Sequence, residues 1–368
     1  MKENFWVGKK VLLTGHSGFK GGWLALWLSE IGAKLIGVAL PPETRPNLFE
    51  EAGIEKLLSA SYWIDMSLGG RVGELRKIIE RHEPEVVFHL AAQAIVRRGY
   101  REPVSTWASN LMGTVHLLEA IRSTLSVRVA VFVTTDKVYY NRNWCYPYRE
   151  NDEVGGTDPY SASKAACELA ISSYRFSFFQ QPLTIESSCA ANRPLTIISS
   201  ARAGNVIGGG DWAEDRLIPD AVKAWSRGGC LLVRNPDAVR PWQHVLEPLS
   251  GYILLAEKLW DNPGLAGAYN FGPPAENAVP VSNVVEEASR LWGEGARYEF
   301  VDVENDPPEA HYLTLETSKA RKVLGYASQW SFPEALERTI KWYRAFYSGE
   351  KARKLCENDI AAFQESVR

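Results

Sequence analysis

The chain has 368 residues, of which 45% are hydrophobic and 23% are charged, a composition typical of globular proteins. This length suits two domains or one large α/β unit. The 41 Lys and Arg residues against 44 Asp and Glu residues give a net charge of -3, which excludes a general basic surface for nucleic acid. No apolar run approaches the roughly 20 residues of a membrane-spanning helix, and no signal-type apolar region follows Met1, so we expect a cytoplasmic protein without membrane contact.

Cysteine and histidine usage predicts neither a disulfide framework nor a metal centre. The cysteines are odd in number and show no CxxC spacing; they are Cys145, Cys167, Cys189, Cys230 and Cys356. The six histidines include no HxxxH or HExxH pattern. We therefore expect chemistry without a bound metal.

Short apolar runs alternate with helical patterns along the first half of the chain. The predicted elements begin with a strand at 10–14, a helix at 23–31, a strand at 34–40 and a third strand ending near 64. They continue with a helix at 75–81, a strand at 86–90, a helix at 110–123, a strand at 127–134, a helix at 160–179 and a strand at 196–201. This alternation predicts an α/β fold, a doubly wound parallel-sheet Rossmann domain over 1–203.

The second half of the chain has a different pattern. Glycine and proline become denser beyond residue 208, and the strands become shorter. We predict a smaller, mixed substrate domain over 204–368 that covers the carboxyl edge of the sheet, where ligands bind in such folds. Segments near 239–272, above all the short apolar strand at 268–271, can rejoin the first sheet.

A glycine-rich segment, GHSGFKG at 15–21, lies between the first strand and the first helix. Glycines in this position let backbone N–H groups and a helix N-terminus approach a pyrophosphate. A plain turn is the alternative interpretation, but the strand–turn–helix context favours a dinucleotide. The predicted contacts here are Gly15, Ser17, Gly18, Phe19, Lys20 and Gly21.

Two further strand ends are predicted to border the same cofactor. Asp65 and Met66 follow the third strand, where the Asp65 carboxylate could accept a hydrogen bond from an adenine amino group. Ala91, Ala92 and Gln93 follow the fourth strand, and the small alanines leave room for a flat ring or a ribose.

The choice of dinucleotide depends on the end of the second strand. Glu43 there favours the ribose 2′-hydroxyl of NAD, whereas Arg45 permits the 2′-phosphate of NADP; we predict NAD. Asn110, at the start of the predicted helix 110–123, is either an N-cap or a functional residue.

Tyr160 and Lys164 are four residues apart, which places both on one face of a helix. A lysine ammonium beside a phenol stabilises the phenolate, so we expect the pKa of Tyr160 to fall from about 10 toward the working pH. Such a tyrosine can take the proton of a sugar hydroxyl as hydride leaves the carbon. The alternative is an exposed lysine beside a half-buried tyrosine.

The strand at 127–134 ends in a second polar cluster. Thr135 is placed to hydrogen-bond the substrate oxygen that Tyr160 deprotonates. Asp136 and Lys137 add a charged pair that a plain alcohol dehydrogenase does not need, although a surface ion pair is the alternative.

These motifs, in this order and spacing, resemble the extended short-chain dehydrogenase/reductase family. The resemblance rests on GHSGFKG, HLAAQ, TTDK and DPYSASK, and it extends over nearly the whole chain through GNVIGGGDWAEDRLIPD and RPWQHV. The last two segments resemble the nucleotide-sugar members of the family. The Asp136–Lys137 pair resembles the dehydratase branch that acts on CDP-glucose, because other 4,6-dehydratases carry Asp-Glu at this place.

The resemblance implies a reaction with no net redox change. Tyr160 would take the C4 hydroxyl proton as NAD takes the C4 hydride, and the resulting ketone acidifies C5. Lys137 would then remove the C5 proton while Asp136 protonates the departing C6 hydroxyl, and hydride would return to C6. The catalytic set implied is thus Thr135, Asp136, Lys137, Tyr160 and Lys164, and Tyr160 and Lys164 are also expected to contact the cofactor.

The resemblance also implies where the substrate binds. The diphosphate of CDP-glucose would be held by Asn205, Arg216 and Arg240, although Arg240 could instead cover Trp242. His311 and Tyr312 lie in a late segment that helps close the nucleotide pocket in relatives. A homodimer, formed by the helices at 110–123 and 160–179, is expected from resemblance, with a homotetramer as the alternative.

Other functions remain open at this stage. A dTDP-glucose 4,6-dehydratase differs by little more than the residue after Asp136 and the flanking motifs. A 4-epimerase needs neither a C5 base nor a C6 acid, so the Asp136–Lys137 pair argues against it. A protein that only binds NAD is disfavoured because Thr135, Tyr160 and Lys164 are all present.

Overall fold

The computed structural model describes residues 4–179, 195–274, 277–302 and 311–366. A seven-stranded sheet forms its centre, and every strand pair in that sheet is parallel. Its strands are β1 (Lys10–Thr14), β2 (Lys34–Ala39), β3 (Leu58–Trp63), β4 (Val86–His89), β5 (Val129–Val133), β6 (Ile197–Ala203) and β11 (Ala268–Phe271). They lie side by side in the order β11-β6-β5-β4-β1-β2-β3. The first six therefore follow the doubly wound order 3-2-1-4-5-6, which confirms the predicted fold.

Three short strand pairs lie outside this sheet. β7 (Val206–Ile207) pairs with β10 (Gln243–His244), and β9 (Val239–Arg240) pairs with β12 (Val279–Pro280). β8 (Cys230–Val233) pairs with β13 (Arg297–Phe300).

Twelve helices are present within the described ranges. Those of the first half are α1 (Phe19–Glu30), α2 (Leu48–Glu51), α3 (Arg71–His82), α4 (Val96–Arg101), α5 (Pro103–Trp107), α6 (Gly113–Arg122) and α7 (Pro159–Tyr174). Those of the second half are α8 (Leu217–Trp225), α9 (Leu246–Asp261), α10 (Val281–Trp292), α11 (Phe332–Tyr347) and α12 (Ala352–Ser366). None of them is long and apolar enough to cross a membrane.

The side chains of alternate strand residues pack in two separate cores, because successive side chains point to opposite faces of a sheet. Val11 and Leu13 of β1 belong to the larger core with α1, α9 and the C-terminal helices, whereas Leu12 belongs to the core under α3, α6 and α7. Within the larger core, Trp27 of α1 meets Phe363 of α12 edge to face, with ring centroids 5.6 Å apart. The sheet is therefore covered on both faces, and its carboxyl edge carries the polar residues.

The strand at Ala268–Phe271 pairs with β6, as its sequence indicated. The central sheet therefore includes a segment from beyond residue 204. Cys145, Cys167, Cys230 and Cys356 are free thiols, and Cys189 lies outside the described residues.

Candidate active site

One cavity of about 930 Å³ lies at the carboxyl ends of β1, β4 and β5, beneath the segments that follow residue 203. It brings together all the predicted cofactor and catalytic residues with Asn205, Arg216 and Arg240. His311 and Tyr312 are not among its lining residues. Within the described ranges, no group of three or more His, Cys, Asp or Glu side chains could hold a metal ion.

The glycine-rich turn leaves backbone N–H groups open toward this cavity. Gly15 has a φ of +76°, and a Cβ on it would lie 2.7 Å from the backbone nitrogen of Ala91, so a side chain is excluded there. Helix α1 begins directly after Gly18, which offers no side-chain cap. The first N–H groups of α1 thus lack side-chain acceptors, and a helix N-terminus of this kind attracts a phosphate. These features, with the small Ala91 beside them, fit a dinucleotide.

The charges at the end of β2 fit a ribose with a free 2′-hydroxyl. Glu43 lines the cavity and forms an ion pair with Arg98 at 2.6 Å. Arg45 is exposed and is not among the lining residues. Farther along the cavity, the Asp65 carboxylate accepts hydrogen bonds from the Ser67 backbone nitrogen at 2.9 Å and the Ser67 hydroxyl at 2.6 Å.

Asn110 is not an N-cap, because the helical segment begins earlier than the sequence predicted. It lies in a π-helical turn, 108–112, between α5 and α6. Its Oδ1 accepts from the Gln93 backbone nitrogen at 2.9 Å, and its Nδ2 donates to the Gln93 carbonyl at 3.1 Å and to the Ser163 hydroxyl at 2.9 Å. Asn110 therefore fixes the loop after β4 to the helix that carries Tyr160. Apart from the polar residue itself, nothing in the sequence indicated this link.

Local sequence explains where α7 begins. The Asp158 side chain caps the helix by accepting a hydrogen bond from the Ser161 backbone nitrogen at 2.9 Å, and Pro159 occupies the first turn. This start places Tyr160 and Lys164 on the face that meets the cavity, where both are buried. The Lys164 ammonium donates to the Val133 carbonyl at 3.2 Å, so α7 is joined to the end of β5.

The expected fall in the pKa of Tyr160 is wrong for this structure. Burial raises the pKa of Tyr160 to about 12, although the hydrogen bond with Thr135 and the charge of Arg216 oppose the rise. The ammonium of Lys164 is turned to the Val133 carbonyl, and its own pKa is lowered by burial. Desolvation of the phenolate therefore outweighs the stabilisation that the four-residue spacing led us to expect.

Thr135, Asp136 and Lys137 form a continuous group at the end of β5. The Thr135 hydroxyl donates to Asp136 Oδ1 at 2.9 Å, and Lys137 Nζ lies 3.9 Å from the same oxygen. Asp136 is buried, and its Oδ2 has no hydrogen-bond partner among the described residues. The Lys137 side chain is 26% exposed, so the surface ion pair considered from the sequence does not describe this pair.

A second basic residue from the glycine-rich turn reaches the same region. Burial lowers the pKa of Lys20 to about 7, and the charge of Arg216 adds to this effect while Asp136 opposes it. Burial therefore makes the Lys20 ammonium easier to deprotonate than that of an exposed lysine.

Arg216 is held by a residue that the sequence analysis missed. Asp211 accepts from Arg216 Nη1 at 2.7 Å, and its backbone is fixed in turn by the Tyr343 hydroxyl, which donates to the Asp211 carbonyl at 2.5 Å. An acidic residue five positions before the arginine, in a glycine-rich run, is the only sequence signal for this pairing.

His311 contacts Arg240 through its backbone carbonyl, and Tyr312 forms a β-bridge with the neighbouring Val239. Arg240 Nη1 donates to the Val239 carbonyl at 2.9 Å and to the His311 carbonyl at 3.2 Å. Asn141 Nδ2 donates to the Tyr312 carbonyl at 3.1 Å. The 311–312 segment thus supports the wall of the cavity without lining it.

Comparison with known proteins agrees with this arrangement. A family model described as GDP-mannose 4,6 dehydratase matches residues 12–339. A CDP-glucose 4,6-dehydratase of Salmonella typhimurium is 44% identical over 366 residues, which cover 99% of each chain. A dTDP-glucose 4,6-dehydratase of Xanthomonas campestris is 23% identical, over 90% of this chain and 92% of that one.

The fold also matches solved structures. A UDP-glucose 4-epimerase from Stenotrophomonas maltophila, crystallised with NAD and a formylated UDP-arabinopyranose, superposes with a TM-score of 0.76. The match covers 93% of this chain and 100% of the epimerase at 20% identity, which shows a shared fold.

Proposed function

Because the chain belongs to the GDP-mannose 4,6-dehydratase family, we propose that it is an NAD-dependent enzyme that removes water from CDP-glucose to give CDP-4-keto-6-deoxyglucose. The observation that carries this proposal is the Asp136–Lys137 pair, which shares one cavity with Tyr160, Lys164 and the glycine-rich turn. Similarity over 99% of both chains to the Salmonella dehydratase supports CDP-glucose as the substrate.

Binding of the cofactor is assigned to the glycine-rich turn and the ends of β3 and β4. The N-terminus of α1 would hold the pyrophosphate, with Ala91 leaving room beside it. Glu43 at the end of β2 supports NAD over NADP. When bound there, NAD would supply the hydride acceptor for C4 and, in reduced form, the hydride donor for C6.

The first proton transfer is assigned to Tyr160. The Tyr160 phenolate takes the proton of the C4 hydroxyl. The Thr135 hydroxyl is hydrogen-bonded to Tyr160 and is therefore placed to orient the C4 oxygen. Lys164, joined to the Val133 carbonyl, fixes the helix that carries the tyrosine.

The elimination is assigned to the other two residues. Lys137 Nζ takes the C5 proton, which the 4-ketone makes acidic. Asp136 gives a proton to the C6 hydroxyl, which leaves as water. Its buried Oδ2 suits this task, because an oxygen without an internal partner can carry the proton toward the substrate.

The diphosphate is assigned to the basic residues of the opposite wall. Arg216, held at 2.7 Å by Asp211, and Arg240 present guanidinium groups suited to phosphate oxygens, and Asn205 lies beside them. The segment of His311 and Tyr312 contributes by holding Arg240 in place, since the His311 carbonyl accepts a hydrogen bond from Arg240 Nη1.

We also propose a homodimer formed through α5, α6 and α7. Large apolar side chains of this region face outward: Val104 is 82% exposed, and Leu169 and Phe176 are each 62% exposed. Burying such side chains against a second copy would remove apolar surface from water. A homotetramer would need a further surface.

The test is to incubate the full-length protein and NAD with CDP-glucose and, separately, with dTDP-glucose. Mass spectrometry should show the loss of one water from CDP-glucose without accumulation of NADH. Loss of water only from dTDP-glucose would keep the mechanism and reject the substrate. Sugars of unchanged mass would reject the dehydratase, and sugar analysis of the same mixture would then reveal a 4-epimerase.

Lys137→Ala tests the assignment of the base. Hydride removal from C4 should persist, so NADH should accumulate while no water is lost. Elimination at the rate of the unmodified protein would contradict the assignment.

A further inference from the structure

A buried polar network lies behind the candidate active site, and its centre is Glu168. The Glu168 side chain is 5% exposed and is not among the residues that line the cavity. Its Oε1 accepts a hydrogen bond from the Thr134 hydroxyl at 2.5 Å. Its Oε2 accepts from the Ser200 hydroxyl at 2.7 Å and from Arg202 Nη2 at 2.8 Å. One carboxylate thus ties α7 to the ends of β5 and β6.

The network extends from Arg202 to the segment that follows the catalytic turn. Arg202 Nη1 donates to the Tyr139 hydroxyl at 2.8 Å and to the Glu150 carbonyl at 3.1 Å. The Tyr139 hydroxyl donates to Asn270 Oδ1 at 2.7 Å. Glu168 and Arg202 therefore hold both ends of the turn that contains Asp136.

The position of Glu168 along the chain relates it to the proposed catalytic groups. Tyr160, Lys164 and Glu168 are spaced at intervals of four residues, so they follow one another along one face of α7. Thr134, the partner of Glu168, directly precedes Thr135. Any movement of the Glu168 carboxylate thus affects both the helix that carries Tyr160 and Lys164 and the segment that carries Thr135.

A buried ion pair of this kind is not explained by stability alone. Removing two charges from water costs several kcal/mol per ion, and well-packed apolar residues are often as stabilising. Hydrogen bonds that fix a single arrangement of the surrounding groups are a better reason for a network in which both Glu168 carboxylate oxygens have partners.

We propose that Glu168 is a positioning residue for the proposed reaction, holding the end of β5 against α7 and placing a fixed negative charge one helical turn from the Lys164 ammonium. The inference rests on the proposed function, because it concerns the residues assigned to that reaction. Neither Glu168 nor Arg202 is required to touch the substrate or the cofactor.

The charges around Lys164 support this proposal. Burial lowers the pKa of Lys164, while the Cys167 thiol and the Glu168 carboxylate oppose that fall. Lys20 of α1 and His89 of β4 also interact electrostatically with Lys164. Loss of the Glu168 charge would leave the Lys164 ammonium less stable, with the Arg202 guanidinium uncompensated nearby.

The experiment compares Glu168→Gln with the unmodified full-length protein across a range of pH. We expect kcat to fall by roughly ten- to a hundredfold while KM for CDP-glucose changes little, because misplaced catalytic groups affect the reaction more than substrate binding. The basic limb of the pH profile of kcat should move to lower pH, because Lys164 loses its proton more readily without the Glu168 charge. Glu168→Asp keeps the charge and should restore the position of that limb.

Two further variants separate positioning from general stability. Thr134→Val removes one donor and keeps the charge, so it should lower kcat without moving the basic limb. Glu257→Gln is the matched control: its carboxylate is also buried and accepts from Trp6 Nε1 at 2.8 Å, but it does not line the cavity. Glu257→Gln should lower the free energy of unfolding and leave the pH profile of kcat unchanged.

A second readout is independent of the sugar. NADH binding, followed by its fluorescence across the same pH range, should weaken at a lower pH in Glu168→Gln than in the unmodified protein, because Lys164 is also an expected cofactor contact and would lose its positive charge at a lower pH. Failure of the unmodified protein to dehydrate CDP-glucose would reject the proposed function and leave this comparison valid. An unchanged limb in both readouts, or an equal shift in Glu257→Gln, would overturn the inference. Thr134→Val provides the kcat test if Glu168→Gln does not fold.

Discussion

Gly204→Ala offers a direct test of the role given to Asp136. A Cβ at position 204 would lie 3.0 Å from Asp136 Oδ2 and 2.9 Å from Pro241 Cγ. An ordinary contact begins near 3.4 Å, so the added methyl group must displace the Asp136 carboxylate oxygen by about 0.4 Å and the Pro241 ring by about 0.5 Å. A misplacement of about 1 Å can cost roughly a hundredfold in rate. Scaled in proportion, a carboxylate shift of about 0.4 Å corresponds to about 1 kcal/mol, or roughly a fivefold to tenfold slower protonation of the C6 hydroxyl.

The assay is a single turnover of CDP-glucose by the NAD-loaded protein, in which NADH absorbance and loss of water are followed together. Hydride removal assigned to Tyr160 should be nearly unaffected, so NADH should accumulate transiently in Gly204→Ala. Gly272→Ala is the control, because the nearest atom to its added methyl group is Leu315 Cβ at 3.9 Å. Equal slowing of hydride removal and water loss in Gly204→Ala, or no slowing at all, would refute the reasoning.

Three other outcomes are expected. Thr135→Val should move the acid limb of the pH profile of C4 oxidation to higher pH. The hydrogen bond with Thr135 lowers the pKa of Tyr160, so its loss raises that pKa, and the phenolate is the active form. An unmoved limb in stopped-flow measurements would contradict this. Leu169→Arg should shift a dimer to monomer in sedimentation velocity, whereas Leu232→Arg, equally exposed but outside the proposed interface, should not. His244, whose pKa is lowered by burial to about 3, should make the free energy of unfolding decrease as pH falls from about 6.5 to 3, and urea unfolding of His244→Gln should show a shallower decrease.

The order of strands and the location of the cavity could be predicted because they follow from local patterns. Apolar runs alternating with helical segments define a parallel sheet, and the residues at the strand ends necessarily meet at one edge. Asp65, Ala91 and Thr135 come directly after such runs, and the structure places them around one cavity. The bounds of the elements were less accurate: α1 begins at Phe19 instead of residue 23, because the turn already ends at Gly18 and Gly21 and Gly22 lie within the helix.

The features that the sequence did not predict depend on contacts between distant segments. The spacing of Tyr160 and Lys164 is local, but the pKa of Tyr160 is set by burial, which depends on how the second half of the chain covers the sheet. Glu168 and Arg202 illustrate the same limit, because their partners lie 32 to 63 residues away. An arginine within the otherwise apolar and small residues of β6 was the available signal for this network.

The pairing of Ala268–Phe271 with β6 has a consequence for how the protein is made. A nascent chain that has emerged only to residue 203 would present Ile197–Ala203 as an unpaired edge, with its N–H and C=O groups open to other strands. About 65 more residues must leave the ribosome before the sheet can close, as judged from the strand positions. Fragments that end between these two strands should therefore aggregate during expression, and limited proteolysis in this interval should unfold both halves together.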